Sequence, residues 1–310
     1  MCEDDTGVHT VQNGESIPIK IAEPDKLRFK EVAFSNLPSP HMSLSRWLDL
    51  AAAIDELIED ENVLGAVVLH GTDLLPECSL VLELCLKTGK PVVITGSMRS
   101  RGEEGYDGVR NLENAIRICL ALPPGSQVMA TMADEIYPAR HVLKKNSVAL
   151  ASMSSQNGLV GRVYGDDVIF FHAPPAAPYY LIDPGRIDKA TLPYVALIAA
   201  APGQDGKLVD HLLQTGVQGL VIEGFGAGNL PAELASSARG ALAKNLPVLL
   251  TTRCFEGGVY PIYSYPGGAR EMLKHGALLC GNIPSAKAFL ILQIALACKI
   301  SPAKILDFFN

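Results

Sequence analysis

Apolar residues recur along this chain in two alternating patterns, short β-branched runs and longer stretches at helical spacing. Leu64-Gly-Ala-Val-Val-Leu69 predicts a strand that stops abruptly at His70-Gly71-Thr72-Asp73. A helix over residues 76–88 follows, and then a second run, Pro91-Val-Val-Ile-Thr95, breaks at Gly96-Ser97-Met98-Arg99. Strand, crossover helix and strand in that order predict a parallel pair. Ahead of this unit the pattern gives a strand over 28–34, a loop over 36–41 and a helix over 44–60, with Leu44, Trp47, Leu48, Leu50, Ile54, Leu57 and Ile58 at helical spacing. Behind it come a helix over 108–122, a strand over 128–132 and short strands and loops over 144–171.

Residues 172–193 are rich in Pro, Tyr and Ala and show no period, which predicts a domain boundary. A second alternation follows, with strands over 194–199, 219–223 and 248–252 and helices over 207–215, 231–244, 267–275 and 283–299. The fold expected is α/β in two domains, each a mainly parallel sheet flanked by helices in a Rossmann-like three-layer arrangement. The N-terminal domain is placed at 1–180, a linker at 181–193 and the C-terminal domain at 194–310. A chain of 310 residues is long enough for two domains, because single cores stop growing near roughly 250–300 residues.

Composition narrows the partners. The apolar runs are too short to span a bilayer, and a net charge of −7 without clustered Lys and Arg argues against nucleic acid. The acidic start Met-Cys-Glu-Asp-Asp carries no apolar stretch of the signal-peptide kind. Seven cysteines, odd in number and without Cys-x-x-Cys spacing, read as free thiols and point to a cytoplasmic protein. The seven histidines form no His-x-x-x-His pair, so neither a metal site nor any other cofactor is expected.

The chemistry is sought at the strand end, because open α/β sheets bind ligands outside the carboxyl ends of their strands. Thr72 and Asp73 stand there on a turn loosened by Gly71. A threonine hydroxyl needs a base to become a useful nucleophile, and a lysine can serve when burial or charge lowers its pKa. Lys144, in Arg140-His-Val-Leu-Lys144, lies downstream of the next strand and can reach the same edge. Read alone, Thr-Asp is also a common helix cap, and Lys144-Lys145 could be solvated surface charge. Gly224-Phe-Gly-Ala-Gly-Asn229 departs from a dinucleotide fingerprint, since its third glycine comes one residue early. It reads as a plain turn or as a loop that touches substrate. Arg253, after Thr251-Thr252, reads as a structural ion pair or as a cleft residue.

Six blocks together resemble the bacterial-type L-asparaginase family. They are Leu69-His-Gly-Thr-Asp73, Lys90-Pro-Val-Val-Ile-Thr-Gly-Ser-Met-Arg99, Asp107-Gly-x-x-Asn111-Leu, Arg140-His-Val-Leu-Lys144, Gly224-Phe-Gly-Ala-Gly-Asn-Leu-Pro231 and Thr251-Thr-Arg-Cys254. They occur in family order over nearly the whole chain. The resemblance implies hydrolysis of L-asparagine, with glutamine as a second candidate, to the amino acid and ammonia. It implies that Thr72 helps to activate the attacking water or nucleophile, that Asp73 binds the substrate α-amino group, and that Lys144 completes a Thr–Lys–Asp constellation. Ser39 would hold the α-carboxylate, the Ser97 carbonyl would touch the side-chain amide, and Asn229 would be supplied by a neighbouring subunit of a homodimer or homotetramer. A mean hydropathy of +0.20 is consistent with surface buried between subunits.

Three departures shape the expectations. The family opens with a strand ending in Gly-Gly-Thr-Ile-Ala, whose threonine is the primary nucleophile, and these 310 residues contain no Gly-Gly-Thr. Thr6 and Thr10 lie in a polar loop with no strand before them and are not promoted to that role. Pro40 stands where many relatives have a hydrogen-bonding Gln, and no acid replaces the family's C-domain glutamate near Tyr263-Ser264-Tyr265. The readings carried forward are an asparaginase-type amidohydrolase and, as the alternative, a family member that binds aspartate or asparagine without turning it over.

Overall fold

In a computed structural model of the chain, the described residues are 2–4, 7–9, 27–87, 89–177 and 182–309. Thr6, Thr10, Thr88 at the expected end of the 76–88 helix, Leu181 of the linker and Asn310 lie outside them. The chain divides into two compact units, Met1–Pro184 and Gly185–Asn310.

The first unit begins with Cys2–Asp4 (β1) and Gly7–His9 (β2), paired antiparallel. A 3-10 turn at Ser39–His41 leads to helix α1 (Leu44–Ile58), whose first turn is closed by the Ser43 side chain accepting from the Arg46 N–H. Strand β3 (Ala66–Leu69), helix α2 (Leu75–Cys85) and strand β4 (Val92–Thr95) form the expected parallel crossover. Helix α3 (Gly108–Ala121) carries the chain to β5 (Met129–Met132), parallel to β4. Thereafter the direction reverses. β6 (Glu135–Pro138) runs antiparallel to β5, β7 (Val142–Lys144) pairs with β8 (Met153–Ser155), and β9 (Gly161–Tyr164) with β10 (Asp167–Phe170) completes a six-stranded sheet of order β10-β9-β6-β5-β4-β3.

Burial follows strand alternation. Val93 and Met129 share a core with Ala115, Ile118 and Cys119 of α3 and with Leu122 just after it. Ile94 and Ala130, on the alternate positions, are equally buried. Helix α2 is apolar almost all round and buried almost all round, with α1 packed against it. Burying one such Leu or Ile contributes about 1.5–3 kcal/mol. Cys78, Cys85 and Cys119 are buried in this interior, and burial pushes the Cys119 thiol up to about 12.

The second unit holds β11 (Val195–Ala199), α4 (Lys207–Gln214), β12 (Gly219–Gly224), α5 (Ala232–Ala243), β13 (Val248–Thr252), α6 (Ala269–Lys274), β14 (Leu278–Leu279) and α7 (Ser285–Ala297). Its four strands are all parallel, in the order β11-β12-β13-β14. Leu220, Ile222, Val248 and Leu250 share a core with α4, α5 and α6, and α7 packs over β11, β12 and β13. Both units are therefore sheets flanked by helices, the first mixed beyond its parallel strands and the second wholly parallel.

One expected element does not form. Residues 28–34 carry no strand, and Phe29, Val32 and Phe34 are exposed. Alternation alone does not make a strand; it needs a neighbour to take its N–H and C=O groups, and 28–34 pairs with none of the described strands. The 36–41 loop closes as a 3-10 turn instead, which buries Ser39.

Candidate active site

Leu69 stands beside Thr95 in the β3–β4 register, and the His70 N–H donates to the Thr95 carbonyl. Residues 70–73 and 96–99 therefore leave the parallel strands at one carboxyl edge. At that edge Lys144 Nζ donates to Thr72 Oγ1 at 2.9 Å and to Asp73 Oδ1 at 2.6 Å. Lys144 arrives because β7 lies against α2, the helix that begins directly after the Thr-Asp turn. Lys144 is 15 % exposed and Asp73 62 %, so the ammonium is sheltered while one side of the carboxylate faces solvent. Screened by solvent on its carboxylate side, this contact contributes about 0–1 kcal/mol to stability. Neither Thr72 nor Asp73 caps α2, whose N-cap is Leu74 without a side-chain bond. The two side chains are thus engaged by Lys144, and Lys144 is not a freely solvated charge.

Two glycines let the neighbouring segments close in. A Cβ on Gly71 would stand 2.7 Å from Ser39 Oγ, which places buried Ser39 directly against the turn. A Cβ on Gly96 would collide with the His70 carbonyl and lie 3.2 Å from the Thr72 methyl, which places the Gly96-Ser97 corner beside Thr72. Ser39, Gly71, Thr72, Asp73, Ser97 and Lys144 are accordingly gathered at one edge of the first unit.

Asn229 belongs to the second unit. It lies on the turn after β12, where Phe225 and Asn229 exchange backbone hydrogen bonds and Oδ1 accepts from the Ala269 N–H at 3.3 Å. Gly228 has φ +96°, and a Cβ there would run into Val259, so the turn requires glycine. Among the described residues Arg253 forms no ion pair of the kind considered for it; its guanidinium lies over the Phe225 ring, 4.8 Å from the centroid. Arg253 is itself exposed.

Residues that the pattern did not single out hold the 96–99 corner. Asp107 accepts from the Met98 and Arg99 N–H groups at 3.1 and 3.0 Å. Asn111 Nδ2 donates to the Gly96 carbonyl and to Asp107, while Asn111 Oδ1 accepts from the Ala133 N–H. Ala133 and Asp134 both have positive φ, 50° and 65°, so Asn111 also steadies a strained turn after β5. Each of these bonds is worth about 1 kcal/mol net, and more is lost when a buried partner is orphaned. The Tyr106 hydroxyl meets Ser97, and burial, ahead of nearby charges, raises its pKa.

Among the described residues no group of three or more His, Cys, Asp and Glu side chains is placed to hold a metal ion. None of their helices is long and apolar enough to cross a membrane.

Comparison with known proteins follows the same two-part division. Residues 1–176 match the family model "Asparaginase, N-terminal", and residues 194–309 match "Glutaminase/Asparaginase C-terminal domain". The chain is 34 % identical over 266 residues to "Probable L-asparaginase" of Deinococcus radiodurans, covering 84 % of this chain and 79 % of that one. It is 29 % identical over 276 residues to "L-asparaginase" of Bacillus licheniformis, covering 88 % and 84 %. Among solved structures, "Probable Cytoplasmic L-asparaginase from Campylobacter jejuni" superposes with a TM-score of 0.80 at 28 % identity, over 89 % of this chain and 86 % of that one. With both family models matched in order along its length, the chain belongs to the asparaginase family.

Proposed function

We propose that this protein is an L-asparaginase-type amidohydrolase acting on a small amino-acid amide, L-asparagine first, at the edge built by Thr72, Asp73 and Lys144. The observation that carries the reading is Lys144 Nζ bridging Thr72 Oγ1 and Asp73 Oδ1. Asp73 receives the substrate α-ammonium on its solvent-facing side, Ser39 the α-carboxylate, and the Ser97 carbonyl the side-chain amide N–H. As an oxygen nucleophile adds to the amide carbonyl, Thr72 relays its proton to Lys144 in the neutral amine form, and the lysine returns a proton to the amide nitrogen as the C–N bond breaks and ammonia leaves. Water supplies the oxygen and one hydrogen of the new carboxyl group and the third hydrogen of ammonia, so the net reaction needs no oxidant or reductant. The domain division at 1–180 and 194–310 and a cytoplasmic location belong to the same reading.

Calorimetric titration tests the recognition step. L-aspartate should bind to the chain at neutral pH, and succinate, which lacks the α-amino group, should bind at least about tenfold more weakly, because the ammonium–carboxylate contact at Asp73 is lost. Equal affinity for the two would remove Asp73 from the proposed role.

Assembly belongs to this reading as well. Asn229 of the partner subunit would complete the site in an isologous two-fold arrangement, so a homodimer at minimum, or a homotetramer of two dimers, is expected. Asn229→Ala should weaken L-aspartate binding while the near-UV circular dichroism stays that of the parent. A monomer by sedimentation at micromolar concentration that binds L-aspartate normally would refute the shared site.

A further inference from the structure

The turn that carries Thr72 and Asp73 has a structural weakness. Gly71 allows it the most conformational freedom of any residue, and no side chain can be added there because Ser39 fills the space. His70 supplies what Gly71 cannot. Its Nδ1 lies 2.8 Å from the Gly71 carbonyl oxygen, and its Nε2 lies 3.2 Å from the Trp47 indole nitrogen. An indole N–H can only donate and a carbonyl can only accept. Nε2 must therefore be the acceptor and Nδ1 the protonated donor, so the two contacts together leave one tautomer, the neutral Nδ1–H form.

We propose that His70 is a positioning residue, a neutral imidazole locked in the Nδ1–H tautomer by Trp47, which clamps the Gly71 carbonyl and so orients the peptide from which Thr72 and Asp73 reach Lys144. The Gly71 carbonyl belongs to the planar unit that joins Gly71 to Thr72, so fixing its oxygen fixes the plane from which the Thr72 Cα departs. Trp47 is a firm anchor, since it is 3 % exposed on α1 and its ring lies 6.1 Å from the imidazole centroid. The His70 backbone is held independently by its N–H bond to Thr95. Burial lowers the His70 pKa from its ordinary 6.5, with the Gly71 carbonyl opposing, so the ring is neutral at neutral pH. No substrate atom needs to touch His70 for this role, which separates it from Thr72, Asp73 and Lys144.

The inference rests on the proposed site, and its test is built so that the two can fail separately. Residues 1–310 with 15N-labelled histidine should show His70 with a protonated Nδ1 and an unprotonated Nε2 at neutral pH, assigned by its disappearance in His70→Asn. His70→Phe removes both hydrogen bonds and should lower L-aspartate affinity about tenfold. His70→Asn, whose Nδ2 can still donate to the Gly71 carbonyl, should recover affinity to within about threefold of the parent. A protonated Nε2 in the parent overturns the proposal, and so does His70→Phe binding within about twofold of the parent. If the parent binds no L-aspartate, the proposed function falls and the turn is read directly. Gly71 and Thr72 amide signals displaced in His70→Phe and restored in His70→Asn support the clamp, and signals unchanged in both variants overturn it.

Discussion

Residues 1–310 as they stand should release ammonia from L-asparagine at least about a thousandfold more slowly than the same residues preceded by a strand ending in Gly-Gly-Thr-Ile-Ala. Removing an acyl-forming nucleophile commonly costs several orders of magnitude, while the groups that bind substrate and stabilise charge retain only a remnant of the rate. Among the described residues β3 pairs on one side only, with β4, and Leu69 is 55 % exposed on an otherwise apolar strand. A parallel strand added there would end at the same edge as Thr72 and could present its threonine to the Lys144 relay. A coupled ammonia assay on the two proteins makes the comparison. Equal turnover would place the nucleophile within the 310 residues, at Thr72 itself or at an N-terminal threonine. Tight L-aspartate binding with no turnover in either protein would favour the non-catalytic binder.

Asp73→Ala should reduce L-aspartate affinity by about a hundredfold, close to 2.7 kcal/mol, because the α-ammonium loses its carboxylate. Lys144→Met should behave differently. It removes the cation that shares Asp73 but leaves the carboxylate free for the α-ammonium, so affinity should stay within about threefold while turnover of the Gly-Gly-Thr-bearing chain collapses. Calorimetry with L-aspartate, run beside the ammonia assay, separates the binding carboxylate from the proton-relay lysine. Parallel losses of affinity in the two variants would mean that the pair acts only as a structural unit.

The sequence carried the elements near the site well, and for a physical reason. β4 and α2 are buried on most sides, so their residues are largely apolar and end at glycine or polar turns, while β3 is an edge strand among those described, in which Val68 alone is buried. Thr72 and Asp73 stood out as candidates because they follow a strand end directly, whereas the antiparallel return after β5 that carries the chain towards Lys144 left no mark in the apolar pattern, which gave only that Lys144 can reach the same edge. Asp107 and Asn111 stood in the sequence as part of a resemblance block, but what they and Trp47 hold in place did not show. Asp107 and Asn111 act on backbone groups eight to fifteen residues earlier in the chain, and Trp47 acts on His70 from 23 residues away. Such bonds leave no periodic trace. The i, i+4 spacing of Asp107 and Asn111 at the start of α3 was the available signal, because it sets both side chains on one face of the first helical turn. The 28–34 segment failed in the opposite sense, with an alternation present and a pairing neighbour absent from the described strands.

The most direct test of the whole account is a crystal structure of this chain grown with L-aspartate. The account predicts the ligand at the carboxyl edge of β3 and β4, its α-ammonium within hydrogen-bond distance of an Asp73 carboxylate oxygen, its α-carboxylate at Ser39 and its side-chain carboxylate facing Thr72 and the Ser97 carbonyl corner. L-aspartate bound elsewhere, or bound at this edge with its α-ammonium turned away from Asp73, would contradict it.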